Sequence, residues 1–391
     1  MQSRSTERLL LFTFVPVLRY IYQHIETILK TYDGSLPLTH FLKNYFRQHP
    51  KLGSRDRKAL SEMAYCWYRC EKGLNDLLFF EEKLQTCLVL CQSEGKHIQP
   101  FLPTEGKQIA FNAEAIFPYD VELSAGMDKT VWFQNMLVQP RMFIRIRSNK
   151  NGILKTLADN SIAFEIISDS CISLPNGSAI DKLLNPADYA VQDASSQQTG
   201  SFFIPQKNQQ WWDCCSGAGG KSLLLKDKEP TINLTVSDTR SSILHNLKKR
   251  FKLYNHKPPN AQVLNTADAS AVQNTLGSML FDGIICDVPC TGSGTWARTP
   301  EQMYFFNPAQ VKEIAALQKK IAVNASSYLK AGGTMYYITC SVFREENEDV
   351  LNHVLDTNKA ISCISSQLIN GISIHADSMY IAVLKKESTA V

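Results

Sequence analysis

Two short stretches place a cysteine where it could act as a nucleophile: Asp287-Val288-Pro289-Cys290-Thr291-Gly292-Ser293-Gly294 and Thr339-Cys340-Ser341, each directly after an apolar run that reads as a strand. A thiolate attacks electron-poor carbon and forms a covalent intermediate. Taken singly, a cysteine is more often an inert core thiol, so the weight lies in what accompanies the pair. The first companion is the glycine-rich turn Asp213-Cys214-Cys215-Ser216-Gly217-Ala218-Gly219-Gly220-Lys221-Ser222, between a strand and a helix. Glycines there let the backbone approach a ligand closely, next to the exposed amides of a helix N-terminus. The turn is no Rossmann GxGxxG, and only two residues separate Gly217 from Gly220 where a P-loop needs four. A nucleotide-like ligand without a polyphosphate fits better.

Further acids stand where later strands end: Asp238, Asp268 and Asp287. In a doubly wound sheet an acid after the second strand grips ribose hydroxyls, and one after the third can accept from an adenine amino group. A single such acid is commonly just the cap of the next helix. Three in register with a glycine loop predict one ligand crevice.

With these segments in view, the sequence resembles the Sun (Fmu) family of RNA cytosine-5 methyltransferases, bacterial ribosomal branch. The shared fingerprints are the Asp-x-Pro-Cys loop at 287–290 and the Thr-Cys-Ser loop at 339–341. Tyr189 to Gln197, the 213–221 loop, Arg298 with Pro300 and Glu301, and Glu345-Glu346-Asn347-Glu348 extend the similarity over residues 140 to 391. Departures are Ala218 in place of the loop proline, Ile243 in place of an arginine after Asp238, and Ala297 in place of the first of two arginines.

The resemblance implies S-adenosylmethionine as cofactor, held by Cys215, Ser216, Gly217, Ala218, Gly219, Gly220, Lys221, Asp238, Asp268 and Asp287. It implies Cys340 as the nucleophile on carbon 6 of the cytosine, Asp287 as the group that holds the base, and Cys290 as the residue that assists release. Lys221 is expected to orient Asp287 or to lower a thiol pKa. The target base has to lie in a single-stranded region or be flipped from a helix to reach these loops. The expected partner is small-subunit ribosomal RNA. Transfer RNA is the alternative substrate, and a non-catalytic ribosome-assembly factor is the rival reading of another class. A DNA cytosine-5 enzyme would use the Pro-Cys cysteine and would not need Thr-Cys-Ser.

Elements able to position these residues are legible from periodicity. From Gln209 onward short apolar strands alternate with helices, which predicts an α/β fold with a doubly wound, Rossmann-like methyltransferase sheet over residues 201–391. Before it, residues 131–200 read as a small α+β, RRM-like subdomain. Within it, Met142-Phe143-Ile144-Arg145-Ile146-Arg147 alternates with period two and is expected to present Phe143, Arg145 and Arg147 on an exposed, RNA-facing side. Residues 1–130 are helical from Leu9 to about Cys91, with faint similarity to the NusB-like RNA-binding unit of the family. Lys43 to Lys72 carries eight Lys or Arg against three acids, an expected basic face.

Bulk composition sets the remaining bounds. The chain has 391 residues, 41 Lys and Arg against 37 Asp and Glu, and 44% hydrophobic residues, an ordinary globular balance. The apolar run Leu9 to Leu18 imitates a signal peptide, but helical spacing continues through Ile21, Ile25 and Ile28 and predicts a buried helix. Eleven cysteines without a CxxC pair predict reduced thiols and no metal. A cytoplasmic monomer without a membrane segment is expected.

Overall fold

The structure is a computed structural model and describes residues 18–74, 76, 78–103 and 110–388. The predicted helical stretch from Leu9 to Val17 lies outside the described residues. The described chain groups into two compact units, one of residues up to Asp120 with Lys129–Gln139 and Trp296–Phe306, the other of Val121–Asp128, Pro140–Thr295 and Asn307 onward.

The first unit is helical. Its helices cover 18–31, Leu38–Gln48, Ser54–Cys70, Phe80–Leu90, Lys129–Met136 and Pro300–Tyr304. Apolar residues three and four apart, such as Ile21, Ile25 and Ile28 or Leu60, Met63 and Ala64, form the buried stripes that pack them. The expected basic face is only half there. Arg69 is buried and donates to the Met136 carbonyl at 2.7 Å and to Gln139 Oε1 at 2.8 Å. Arg57 donates to the Leu52 carbonyl and Lys72 to that of Tyr304, whereas Lys43, Arg47, Lys51 and Lys58 are exposed. The segment after the cysteine loop enters this unit's core: Trp296 packs on Phe117 and Trp132, and Glu301 Oε1 accepts from the Leu38 amide at 3.2 Å.

The second unit carries two sheets. Strands β1 (Met142–Ile146), β2 (Glu165–Ile166), β3 (Cys171–Leu174) and β4 (Tyr189–Val191) form an antiparallel sheet in the order β2-β3-β1-β4. The large sheet contains β5 (Gln210–Asp213), β6 (Asn233–Asp238), β7 (Asn260–Val263), β8 (Phe281–Asp287), β9 (Leu329–Thr339), β10 (Ile361–Asn370) and β11 (Ser378–Lys386), ordered β10-β11-β9-β8-β5-β6-β7. Pairs from β7 through β9 are parallel, and β11 runs antiparallel to both neighbours. The sheet is therefore mixed, with its core in residues such as Trp212, Ile284, Met335 and Tyr337.

The expected basic outer face of β1 is overturned. Ile144 faces one apolar cluster with Ile153, Leu157 and Ile172, and Phe143 packs with Cys171, Ala194 and Ala376 on the other side. Arg145 and Arg147 are both tied to Asp227, at 2.7 and 2.6 Å, and His256 reaches the same carboxylate at 2.7 Å. Arg147 also lies over the Tyr254 ring at 4.3 Å. A period-two pattern shows that two faces differ; here both are covered, and the arginines are internal struts. Among the described residues no helix is long and apolar enough to cross a membrane.

Candidate active site

Parallel pairing places the carboxyl ends of β6, β5, β8 and β9 side by side, roughly 4.8 Å apart from strand to strand. Segments far apart in sequence thereby converge: the 213–221 turn after β5, Asp238 ending β6, Asp287 ending β8 with Cys290 beyond it, and Cys340 following β9. Sheets of this kind hold ligands beyond those ends.

Cys290 and Cys340 meet with their sulfurs 2.9 Å apart. The Cys340 amide also donates to Cys290 Sγ at 3.3 Å. The adjacent Cys340 sulfur, and then burial, hold the Cys290 thiol well above its ordinary pKa. A Cys290 kept as a thiol can donate to the Cys340 sulfur. Beside the pair, Lys221 Nζ contacts Asp287 Oδ2 at 2.7 Å; Lys221 is nearly buried, whereas the Asp287 side chain keeps about a third of its surface open.

The glycine turn is built from backbone interactions. The Ser216 amide donates to the Ser237 carbonyl at 2.9 Å, and the Gly219 amide to that of Ser216. Gly219 has φ +81°, and a Cβ on it would lie 2.8 Å from Leu247, so the bend into helix Gly220–Lys228 requires glycine. Neither Gly217 nor Gly220 has an atom within 4 Å of where a Cβ would be, so there is open space beside both. The half-buried Cys215 thiol is pushed up by the neighbouring Cys214 thiol and by burial. Ala218 accepts from Arg250 Nη1 at 2.8 Å. This contact braces the loop where the family places proline.

Asp238 accepts from the Gly217 amide at 3.1 Å and from the Arg240 amide and side chain. Burial opposes its ionisation, but the Arg240 contacts win and its carboxyl sits below the usual range. It stands ionised at the edge of the turn, an acceptor suited to hydroxyls. Asp268 is different: exposed, it caps helix Ala269–Leu276 by accepting from the Ala271 amide at 3.1 Å. Below the turn, the fully buried Asp213 binds Ser222 Oγ at 2.5 Å, and burial pushes its carboxyl up to about 7.

The sequence reading assigned no role to Glu346, which knits the two cysteine loops together. Its carboxylate accepts from the Thr291 amide at 2.8 Å and Thr291 Oγ1 at 2.5 Å on one loop, from Ser341 Oγ on the other, and from Gln318 Nε2 at 3.0 Å. Asn347 accepts from Thr339 Oγ1 and donates to the Ser341 carbonyl. Gly294 closes the same junction: its amide donates to the Cys340 carbonyl at 2.9 Å, and a Cβ there would stand 2.1 Å from the Ser378 carbonyl oxygen. The Glu-Asn-Glu string was the available signal, but a carboxylate at a helix start reads as a cap until the loops are seen to meet around it.

Comparison with known proteins decides what the arrangement belongs to. Residues 201–386 match the family model described as 16S rRNA methyltransferase RsmB/F. Over this segment the chain is similar to the RsmB/F family. The resemblance read from the Pro-Cys and Thr-Cys-Ser loops is thereby met, and the family is one of S-adenosylmethionine-dependent RNA methyltransferases. The chain is similar to ribosomal RNA small subunit methyltransferase B of Shewanella oneidensis, 31% identical over 42% of this chain and 38% of that protein. It is also similar to the protein of the same name from Pectobacterium atrosepticum, 30% identical over 53% of this chain and 49% of that one. The matches thus span half or less of those relatives' length. In fold, the crystal structure of PH0851 covers 90% of this chain and 95% of its own with a TM-score of 0.66 at 16% identity. The crystal structure of NSun6 from Pyrococcus horikoshii with SFG covers 66% of this chain and 94% of its own, with a TM-score of 0.57 at 13% identity.

Replacing Asp238 tests the expected cofactor edge. Asp238→Ala is expected to weaken S-adenosylmethionine binding at least tenfold, the loss of one to two charge-assisted hydrogen bonds. Isothermal titration reads this directly, and an unchanged affinity would move the ribose site elsewhere.

Proposed function

We propose that this protein methylates carbon 5 of a cytosine in small-subunit ribosomal RNA through a covalent bond to Cys340. The observation that carries the reading is the meeting of Cys290 and Cys340 at 2.9 Å beside the Lys221–Asp287 pair. Carbon 5 of cytosine is a weak nucleophile, so a thiolate must first add to carbon 6 and send its electron pair toward carbon 5. Cys340 makes that bond, with the Asp287 carboxylate accepting from the exocyclic amine on the N3 side of the base and Lys221 fixing that carboxylate. S-adenosylmethionine, held by the 215–221 backbone and Asp238, supplies the methyl group. Once the carbon-5 proton has left to a base, the carbon–sulfur bond breaks and Cys340 departs as thiolate, assisted by the Cys290 thiol. Asp268, already spent on its helix, contributes to the adenine edge through a second lone pair.

The names of the matched relatives support a ribosomal substrate. The order β2-β3-β1-β4 supports an RRM-like subdomain over 131–200, and the alternation from β5 onward supports a Rossmann-like catalytic domain over 201–391. The helical 1–130 region is read as NusB-like, and the protein as a cytoplasmic monomer. Purified protein incubated with methyl-labelled cofactor and 16S ribosomal RNA is expected to yield label at a single cytosine, located by bisulfite sequencing. Label in transfer RNA alone would change the substrate, and no label in any RNA would defeat the reading.

A further inference from the structure

With Arg145 and Arg147 withdrawn into the interior, the second unit needs another surface for a polyanion. Helix Ser241–Leu253 follows β6, and its apolar side, Leu244, Leu247 and Phe251, is buried. The opposite side carries His245, Lys248, Lys249 and Lys252, all exposed, with exposed Lys257 just beyond the helix. From Arg240 to Lys257 the chain holds Arg240, Lys248, Lys249, Arg250, Lys252 and Lys257 and not one Asp or Glu. Two members of this set have defined jobs, Arg240 on Asp238 and Arg250 on the Ala218 carbonyl. Among the described residues Lys248, Lys249, Lys252 and Lys257 engage no carboxylate.

We infer that this helix face is a docking track for the phosphate backbone of single-stranded RNA. The inference rests on the RNA methyltransferase reading above and names its contact surface. Position supports it in that Arg250, on the same helix, donates to the Ala218 carbonyl of the glycine turn. Spacing supports it as well. His245 to Lys252 covers two helical turns, about 10 Å, the reach of two to three successive phosphates. Favourable contact with the helix dipole accounts for basic residues in the last turn, but not for Lys248 or Lys257, nor for the missing acids.

The test is the salt dependence of binding, with a fluorescein-labelled single-stranded RNA and the full chain. Each phosphate neutralised on a single strand contributes about 0.7 to the slope of log affinity against log salt. The triple variant Lys248→Gln, Lys249→Gln, Lys252→Gln is expected to lower that slope by about 2 and to bind the RNA more than tenfold more weakly at low salt. Its melting temperature should match the wild type, since these side chains touch no buried group. A charge-matched control, Lys312→Gln, Lys320→Gln, Lys385→Gln, removes exposed lysines elsewhere on the same unit and is expected to keep the wild-type slope. A wild-type slope in the first triple, or an equal fall in both, overturns the track while methyl transfer by the wild type still upholds the function. A wild-type protein that neither binds nor methylates RNA overturns the functional reading itself.

Discussion

Cys340→Ala is expected to lose methyl transfer by a thousandfold or more while still binding RNA and cofactor, and to form no covalent complex. The size follows from the chemistry: without a thiolate on carbon 6 the ring is never activated, so the loss is of a step rather than of a contact. Cys340 is only partly buried, and its alanine variant removes one sulfur from a junction still held by Glu346, Asn347 and Gly294. Cys290→Ala should behave oppositely. It retains the attacking thiol, so it should methylate once and then accumulate a protein–RNA adduct that survives denaturing electrophoresis. The 2.9 Å sulfur contact makes this contrast sharp, since either cysteine is close enough to act and only the products tell them apart. An adduct in Cys340→Ala and none in Cys290→Ala would reverse the roles. No adduct in either would leave methylation without a covalent intermediate.

Asp227→Ala is expected to destabilise the second unit by about 3–5 kcal/mol, the cost of leaving buried charges without their partner. Asp227 faces Arg145, Arg147 and His256 together, and both arginine side chains are about nine-tenths buried. Truncation leaves both guanidinium charges buried with only neutral acceptors, Gln192 Oε1 for Arg145 and the Ala187 and Tyr254 carbonyls for Arg147. Chemical denaturation with the midpoint and slope fitted separately measures the loss, and a change below about 1 kcal/mol would mean that water reaches the arginines. The pH dependence has a definite sign. Burial raises the Asp227 carboxyl, but the hydrogen bonds from Arg147 and His256 and the charge of Arg145 outweigh it and the net pKa is lowered. A group depressed in the folded state contributes its stability above the ordinary carboxylate range and loses it as pH falls through the depressed value. Wild type and Asp227→Ala should therefore differ most near neutrality and converge in acid.

The sequence alone determined those features that are written locally. The Gly-rich turn, the acids after strands and the two cysteine loops are contiguous strings, and each sits at a strand end because hydrophobic runs stop where the chain leaves the sheet. Parallel α/β order then requires that such ends share one edge, so the convergence of residues 213–221, 238, 287–290 and 340 was legible before any coordinates. The strand β10 was not, because Ile361-Ser362-Cys363-Ile364-Ser365-Ser366-Gln367 carries no long apolar run; it lies at the sheet edge, largely exposed, and is held by its ladder with β11. Only the tertiary structure decided that Arg145 and Arg147 point inward. Their alternation with Ile144 and Ile146 is the same whether the second face meets water or protein, and the choice was made by Asp227, some eighty residues away in sequence. The role of Glu346 was decided in the same way. Its four donors come from two loops and a helix that no local pattern brings together, and a buried carboxylate acquires meaning only when those donors are placed around it. Residue type and spacing fix what a segment can do by itself, whereas the partner that removes a charge from solvent is chosen by packing, which a one-dimensional pattern does not record.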